Sequence, residues 1–319
     1  MEINTIHNSD WMNNGLPDQS VDLIIADPPY FEILGDFDFI WDSFDDYLKD
    51  VEKWAIECKR VLKDNGTLFW YGDDKRIAYA QIIFDKHFSL INSLIWYKYN
   101  LRGGMFGSTG GDSVRSFPIC TERILMYSND KYNLTQCVYQ IRDYIRSEVQ
   151  KSKGKIVLKD INKALGTATN GGGVASACLS LDKSEPTMFT KEMYQKLQKW
   201  CYPYLRKEYE ELRKEYEELR RPFSNFLNLN EVLQFNTNTN KTYQHDTIKP
   251  EKLTRALMLT CSKADALVLV PFAGSGTECA MAQKENRNFI GFEIDEKYHE
   301  VAMNRLKHQQ EKSKQQSLF

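Results

Sequence analysis

The chain has 319 residues, 42% hydrophobic and 27% charged, with a formal net charge of −2 at neutral pH. That length can bury a sizeable core as one large domain or two smaller ones, and the composition excludes a disordered or membrane-embedded chain. Its longest apolar runs, such as ALVLVPFAG at 266–274, fall far short of the roughly 20 residues that span a bilayer.

The N-terminal MEINTIHNSD lacks the basic-then-apolar pattern of a signal peptide. Seven scattered cysteines with no Cys-x-x-Cys pair argue against a disulfide framework or a zinc site. The expectation is a reduced, soluble protein of the cytoplasm with no resident metal. Charge is unevenly spread. Residues 1–140 hold 13 Lys+Arg against 21 Asp+Glu, 141–221 hold 17 against 12, and 222–319 hold 12 against 11. A basic segment within an acidic chain suggests contact with a polyanion, or is a run of ordinary solvated lysines.

In chain order, strand-like apolar runs stand at 3–7, 21–26, 67–71, 89–97, 122–127, 266–270 and 288–293. Helical patterns lie between several of them, at 44–62, 249–261, 278–286 and 296–310. Strands alternating with helices predict βαβ units and a mostly parallel sheet covered on both faces. The runs at 67–71, 89–97 and 122–127 have no clear long helix between them, which predicts an antiparallel hairpin at one edge.

The middle of the chain breaks this rhythm. It reads as helices at 138–150 and 157–165, a glycine-rich turn at 167–173, a short helix at 174–181, and a long helix running towards Pro222. The heptad RKEYEEL occurs twice, at 206–212 and 213–219. It aligns Tyr209, Leu212, Tyr216 and Leu219 in one apolar stripe, too short for an independent coiled coil and expected to pack on the protein's own body. The organisation expected is 1–135, a helical insert at 136–235, and 236–319.

Two motifs carry chemistry. After the strand VDLIIA come Asp27, Pro28, Pro29 and Tyr30. Two consecutive prolines donate no N–H and fix φ near −65°, so the chain leaves the sheet as a rigid spike bearing a carboxylate, carbonyl acceptors and a ring. Near the far end, LVLVPFAGSGTECAMA places Pro271, Phe272, Ala273, Gly274, Ser275, Gly276 and Thr277 between a strand and a helix. Such a turn lets backbone approach a ligand at a helix N-terminus, or simply connects the two elements. The next strand ends in Glu293, an acid placed to accept from ribose hydroxyls. The turn lacks the Lys-Ser/Thr of a triphosphate loop, and Cys279 stands where a dinucleotide site has its third glycine.

Together, and in this order, the motifs resemble the S-adenosylmethionine-dependent amino-methyltransferases of DNA, specifically the permuted group. In that group the Asp-Pro-Pro-Tyr half precedes a target-recognition insert and the Phe-x-Gly-x-Gly half. The resemblance covers 1–135 and 236–319 and implies a permuted Rossmann-like α/β methyltransferase fold with a mostly helical insert. It also implies S-adenosylmethionine as cofactor. Asp10 matches the acid set against the cofactor's adenine, and QHDTIKPEKL resembles a His-Pro-Thr-Gln-Lys-Pro block that puts Lys249 near the methionine moiety. Val270 replaces an acid that often precedes the Pro-Phe, and Asp246 and Ile248 replace Pro and Gln.

In the implied chemistry Asp27 and the Pro28 carbonyl accept the two N–H bonds of a flipped adenine's amine, and Tyr30, helped by Phe31, stacks on the base. Asp at position 27 favours adenine N6 over cytosine N4; the rivals are a cytosine-N4 enzyme, an enzyme acting on RNA, and a non-catalytic binding protein on the same fold. Trp41, Trp70 and Trp96 are expected to be core residues.

The partner implied is double-stranded DNA; the resemblance suggests a second copy of the chain, and the enzyme is expected either to stand alone as an orphan or to be paired with a cognate restriction endonuclease. For the insert, 155–190 reads as a helix-turn-helix variant or as a lobe bracing the core. Lys151, Lys153, Lys155 and Lys163 are candidates for phosphate contact, and Thr167, Thr169, Asn170 and Ser176 for base edges. The glycine-rich loop 100–118, with Arg102 and Arg115, is expected to order over the base or backbone, or to be a plain connection.

Overall fold

The structure is a computed structural model and describes residues 1–33, 36–100, 117, 119–129, 133–169, 172–182, 187–237 and 248–316. Arg102, Arg115 and Asn170 lie outside the described residues. The strand β1 (Thr5–Asn8) leads to β2 (Val21–Ala26) and α1 (Phe44–Val61). The start of α1 is set by Ser43, whose hydroxyl accepts the Asp46 N–H at 3.2 Å. Asp45 and Asp46 stand in its first turn and Lys59 and Arg60 in its last, each at the end the helix dipole favours. Then come β3 (Leu62–Gly72), α2 (Ile77–Phe84), β4 (Ser89–Tyr97) and β5 (Thr121–Ser128). The eight-residue α2 fills a segment where the sequence showed no clear long helix.

Five helices follow: α3 (Asn133–Lys153), α4 (Leu158–Leu165), α5 (Val174–Leu179), α6 (Lys191–Trp200) and α7 (Tyr209–Leu219). The chain closes with β6 (Val232–Gln234), α8 (Glu251–Cys261), β7 (Leu267–Val270), α9 (Thr277–Lys284), β8 (Asn288–Glu293) and α10 (Glu296–Gln316). No helix among the described residues is long and apolar enough to cross a membrane.

The eight strands form one sheet in the order β1-β8-β7-β2-β3-β5-β4-β6. Only β5 runs antiparallel, to β3 on one side and β4 on the other. The predicted hairpin therefore exists, but β6 pairs in parallel with β4 and occupies the edge beyond it. Alternation along β2 divides the core in two. Leu23 and Ile25 join Leu253, Leu257 and the α9 residues Cys279–Ala282 on one face; Ile24 and Ala26 join Val51, Ala55 and Phe84 on the other. Each of these strand side chains is at most 1% exposed, so the six-residue run is buried on both faces, as parallel strands beneath helices must be.

The chain divides into two compact units, Met1–Lys131 with Pro222–Phe319, and Tyr132–Arg221. The boundary expected at 235 falls at 221, because β6 is claimed by the sheet. The second unit has its own core, in which Ile145, Val149, Ile161, Leu165, Leu197 and Leu212 are buried. The single long helix expected before Pro222 is two helices. Pro203 offers no N–H and its ring obstructs a preceding turn. Gln198 instead donates to the carbonyls of Leu205 and Lys207, at 3.1 and 2.8 Å. In α7, Leu212 is buried while Tyr209 and Tyr216 pack on the same core, so the stripe is internal.

Candidate active site

Strands β2 and β7 lie side by side and parallel, with Leu23 opposite Val268 and Ile24 opposite Leu269. Their C-terminal ends bring Asp27 and Pro271 together from the two halves of the chain. The helix after β2 covers one face and the helix after β7 covers the other, so a crevice opens where the connections diverge. A cavity of about 1050 Å³ occupies that crevice. Small-ligand sites are typically about 300–1,000 Å³, so this one has room for a nucleoside-type cofactor and a base together.

The spike is held from both sides. The Tyr30 hydroxyl donates to Asp27 Oδ1 at 2.8 Å, and Lys249 Nζ lies 2.8 Å from Asp27 Oδ2. The Tyr30 N–H donates to Asp38, a buried carboxylate. Burial, then the Asp27 charge, pushes the Tyr30 phenol well above its usual pKa, so it remains a donor. Each carboxylate oxygen has a second lone pair, and Asp27 can still accept an amine N–H. Phe31, expected to help Tyr30 against the base, is instead buried and packs on Phe44 and Tyr47. Trp70 and Trp96 are core residues; Trp41 is half-buried on the cavity wall and donates to Asp50.

Behind Asp27 runs a buried charge chain. Lys249 Nζ lies 3.3 Å from Glu122 Oε2, and Lys98 pairs with the other Glu122 oxygen. Burial alone would lower the Lys249 pKa, but the Asp27 and Glu122 carboxylates outweigh it and hold it above the usual lysine value. Burial would raise Glu122, yet Lys249 and Lys98 keep it below the usual carboxylate range. Glu122 and Lys98 were not singled out from sequence: each stands near a strand end, where a charge reads as a solvated boundary.

The glycine turn forms the opposite wall through Phe272, Ala273, Gly274, Ser275 and Thr277. Gly274 and Gly276 have φ of 49° and 73°, conformations that favour glycine. Gly276 itself does not line the cavity; a Cβ there would meet the Ala302 Cβ at 3.0 Å, so this glycine admits α10 rather than a ligand. Arg305 of α10, 2% exposed, donates to Thr277 Oγ1 at 2.6 Å and pairs with Glu251 at 2.9 Å, bracing the turn from behind. The Phe272 ring stands edge-on to Trp54 with centroids 5.0 Å apart.

At the end of β8 the two Glu293 oxygens accept the N–H groups of Gly274 and Asp295, at 2.8 and 2.9 Å. This ties the turn to the strand end and leaves lone pairs towards the cavity; burial raises the Glu293 pKa. Asp10, also on the cavity wall, accepts the Met12 N–H at 2.9 Å. The walls thus offer acid acceptors, a backbone turn and aromatic surface, a donor and acceptor set that fits an adenosine carrying an amino-acid tail.

In the second unit, Lys151 pairs with Glu148, and Lys153 lies over the Trp200 ring at 4.5 Å. Lys155, Lys163 and Thr169 are exposed, and Ser176 is half-buried in α5. Thr167 is committed internally, donating to Asn162 Oδ1 at 3.0 Å, while that same oxygen accepts the Ala175 N–H at 2.8 Å. Asn162 thereby fastens the turn between α4 and the six-residue α5.

Comparison with known proteins agrees with this geometry. A family model described as DNA methylase, of the N6/N4 methyltransferase type, matches residues 21–304. The type II methyltransferase M.HinfI of Haemophilus influenzae is 27% identical over 96% of this chain and 68% of its own length. The DNA adenine methyltransferase YhdJ of Escherichia coli is 27% identical over 91% of this chain and 78% of its own. Among solved structures, TTHA0409 of Thermus thermophilus shares the fold at 17% identity with a TM-score of 0.52, covering 96% of this chain and 95% of that one. With a match that spans both motifs and everything between them, the chain belongs to the N6/N4 family of DNA methylases.

Proposed function

We propose that the chain transfers a methyl group from S-adenosylmethionine to the N6 amine of an adenine flipped out of duplex DNA, as a member of the permuted group. The observation that carries this is the shared cavity: Asp27–Tyr30 and Phe272–Ser275 with Thr277 face one space at adjacent strand ends. The cofactor supplies an activated methyl group. Asp10 and Glu293 would hold its adenosine; Lys249, expected near the methionine moiety, also holds Asp27 on the acceptor side at 2.8 Å. Asp27 and the Pro28 carbonyl accept the amine's N–H bonds, drawing the nitrogen towards tetrahedral geometry and aiming its lone pair. The Lys249 and Tyr30 contacts fix the carboxylate in advance, so little reorganisation accompanies the reaction.

The name of the Escherichia relative favours adenine. That of the Haemophilus relative favours a role beside a restriction endonuclease. The second unit, residues 132–221, reads the target, and a homodimer is the assembly the family resemblance implies.

The test is incubation with mixed-sequence duplex DNA and S-adenosylmethionine, digestion to nucleosides, and mass spectrometry. N6-methyladenine is expected, and N4-methylcytosine would overturn the base assignment. Asp27→Ala should lower the methylation rate by at least about a hundredfold while DNA binding survives. Preserved methylation would refute the role given to Asp27.

A further inference from the structure

Several carboxylates line the cavity without a part in the reaction described above; Asp36 and Asp295 are exposed, Asp50 is half-buried, and one further acid is buried. This is Glu278, in the first turn of α9, which is only 5% exposed. The wholly buried Thr254 of α8 donates its hydroxyl to Glu278 Oε1 at 3.1 Å, which fixes the carboxylate in place. The cations nearby are matched to other acids. Lys249 lies between Asp27 and Glu122, Lys98 pairs with Glu122, and Arg305 pairs with Glu251; none of the ion pairs among the described residues includes Glu278. Asp27 and Glu122 are thus balanced by Lys249 and Lys98, and Glu278 adds an excess negative charge at the cavity wall.

A buried carboxylate that forms no ion pair is costly unless a cation reaches it. Burial, and next the Asp27 charge, raise its pKa, and the more distant charges of Lys249 and Arg305 offset this only in part. Glu293, the acid at the end of β8, is by contrast tied to backbone N–H groups.

We infer that Glu278 binds the α-ammonium group at the methionine end of the cofactor. The inference rests on the S-adenosylmethionine reading and adds a residue and a contact to it. A carboxylate held by Thr254 within a water-poor wall makes a charge-assisted hydrogen bond to that ammonium, and the ligand's charge completes the balance that the protein leaves open.

Calorimetric titration of wild type and Glu278→Gln with three ligands tests this. S-adenosylhomocysteine carries the amino-acid tail, whereas 5′-methylthioadenosine keeps the nucleoside and sulfur but lacks it. Glu278→Gln should weaken S-adenosylhomocysteine by about tenfold or more, as removal of one charged hydrogen bond implies, and leave 5′-methylthioadenosine unchanged. S-adenosylmethionine should weaken by a similar factor. Equal weakening of both thioether nucleosides would mean a structural role and overturn the inference, as would no weakening of either. Weakening of S-adenosylmethionine alone would place the carboxylate against the sulfonium and overturn the ammonium contact. If wild type bound none of the three, the cofactor reading would fall and this inference with it.

Discussion

Single side chains in the cavity make opposite contributions to stability. Glu278 has a folded-state pKa raised above its unfolded value, so the folded state binds its proton more tightly. Its contribution is full below the unfolded carboxylate value, about 4.3, and is lost as pH rises through the folded value. Glu122 has the reverse sign. Its folded pKa is depressed, and its contribution is present above the unfolded value and lost as pH falls through the folded one. Above its folded-state pKa an ionised Glu278 therefore destabilises the apo protein. Glu278→Gln should raise the Tm at pH 8 and do so less, or not at all, at pH 4.5, as thermal unfolding at the two pH values would show. A variant that is more stable yet binds cofactor more weakly is the expected trade between stability and function.

Among elements, the turn between β7 and α9 is constrained both by its backbone and by its neighbour. Gly276 combines a φ of 73° with a Cβ position 3.0 Å from Ala302 of α10. Gly276→Ala should cost about 2–3 kcal/mol, combining left-handed backbone strain with overpacking against a helix backbone. A lower urea midpoint with an unchanged slope would show it, and wild-type stability would mean that α10 yields at this contact. The sequence marked Gly276 as a ligand-approach glycine, whereas its contact is with α10. The two roles leave the same trace in a sequence, because both demand a residue without a Cβ.

For the whole molecule, the basic character of 141–221 is concentrated in a unit with its own core. If Lys155 and Lys163 each neutralise a phosphate, replacing both by alanine should reduce the slope of log affinity against log salt by about 0.9 for each phosphate left without its lysine. Binding of S-adenosylhomocysteine to the double variant should be unaffected. A salt slope equal to wild type would assign DNA binding to other residues.

By itself the sequence determined what depends on local pattern. The bounds of β2, β4 and β8 match the apolar runs at 21–26, 89–97 and 288–293, because an apolar run and the breakers beside it are written in neighbouring residues. Asp27–Tyr30 and the Phe272–Thr277 turn were legible for the same reason: proline and glycine act on the backbone wherever they stand. Only the tertiary structure decided which charges are buried and with whom. Lys98, Glu122, Glu278 and Arg305 are ordinary polar letters until β5, α8, α9 and α10 close around them. The edge strand β6, three residues long, likewise exists because β4 presents unpaired backbone groups to it. Burial of a charge and pairing of a strand edge are properties of distant segments brought together, and no window of sequence contains both partners.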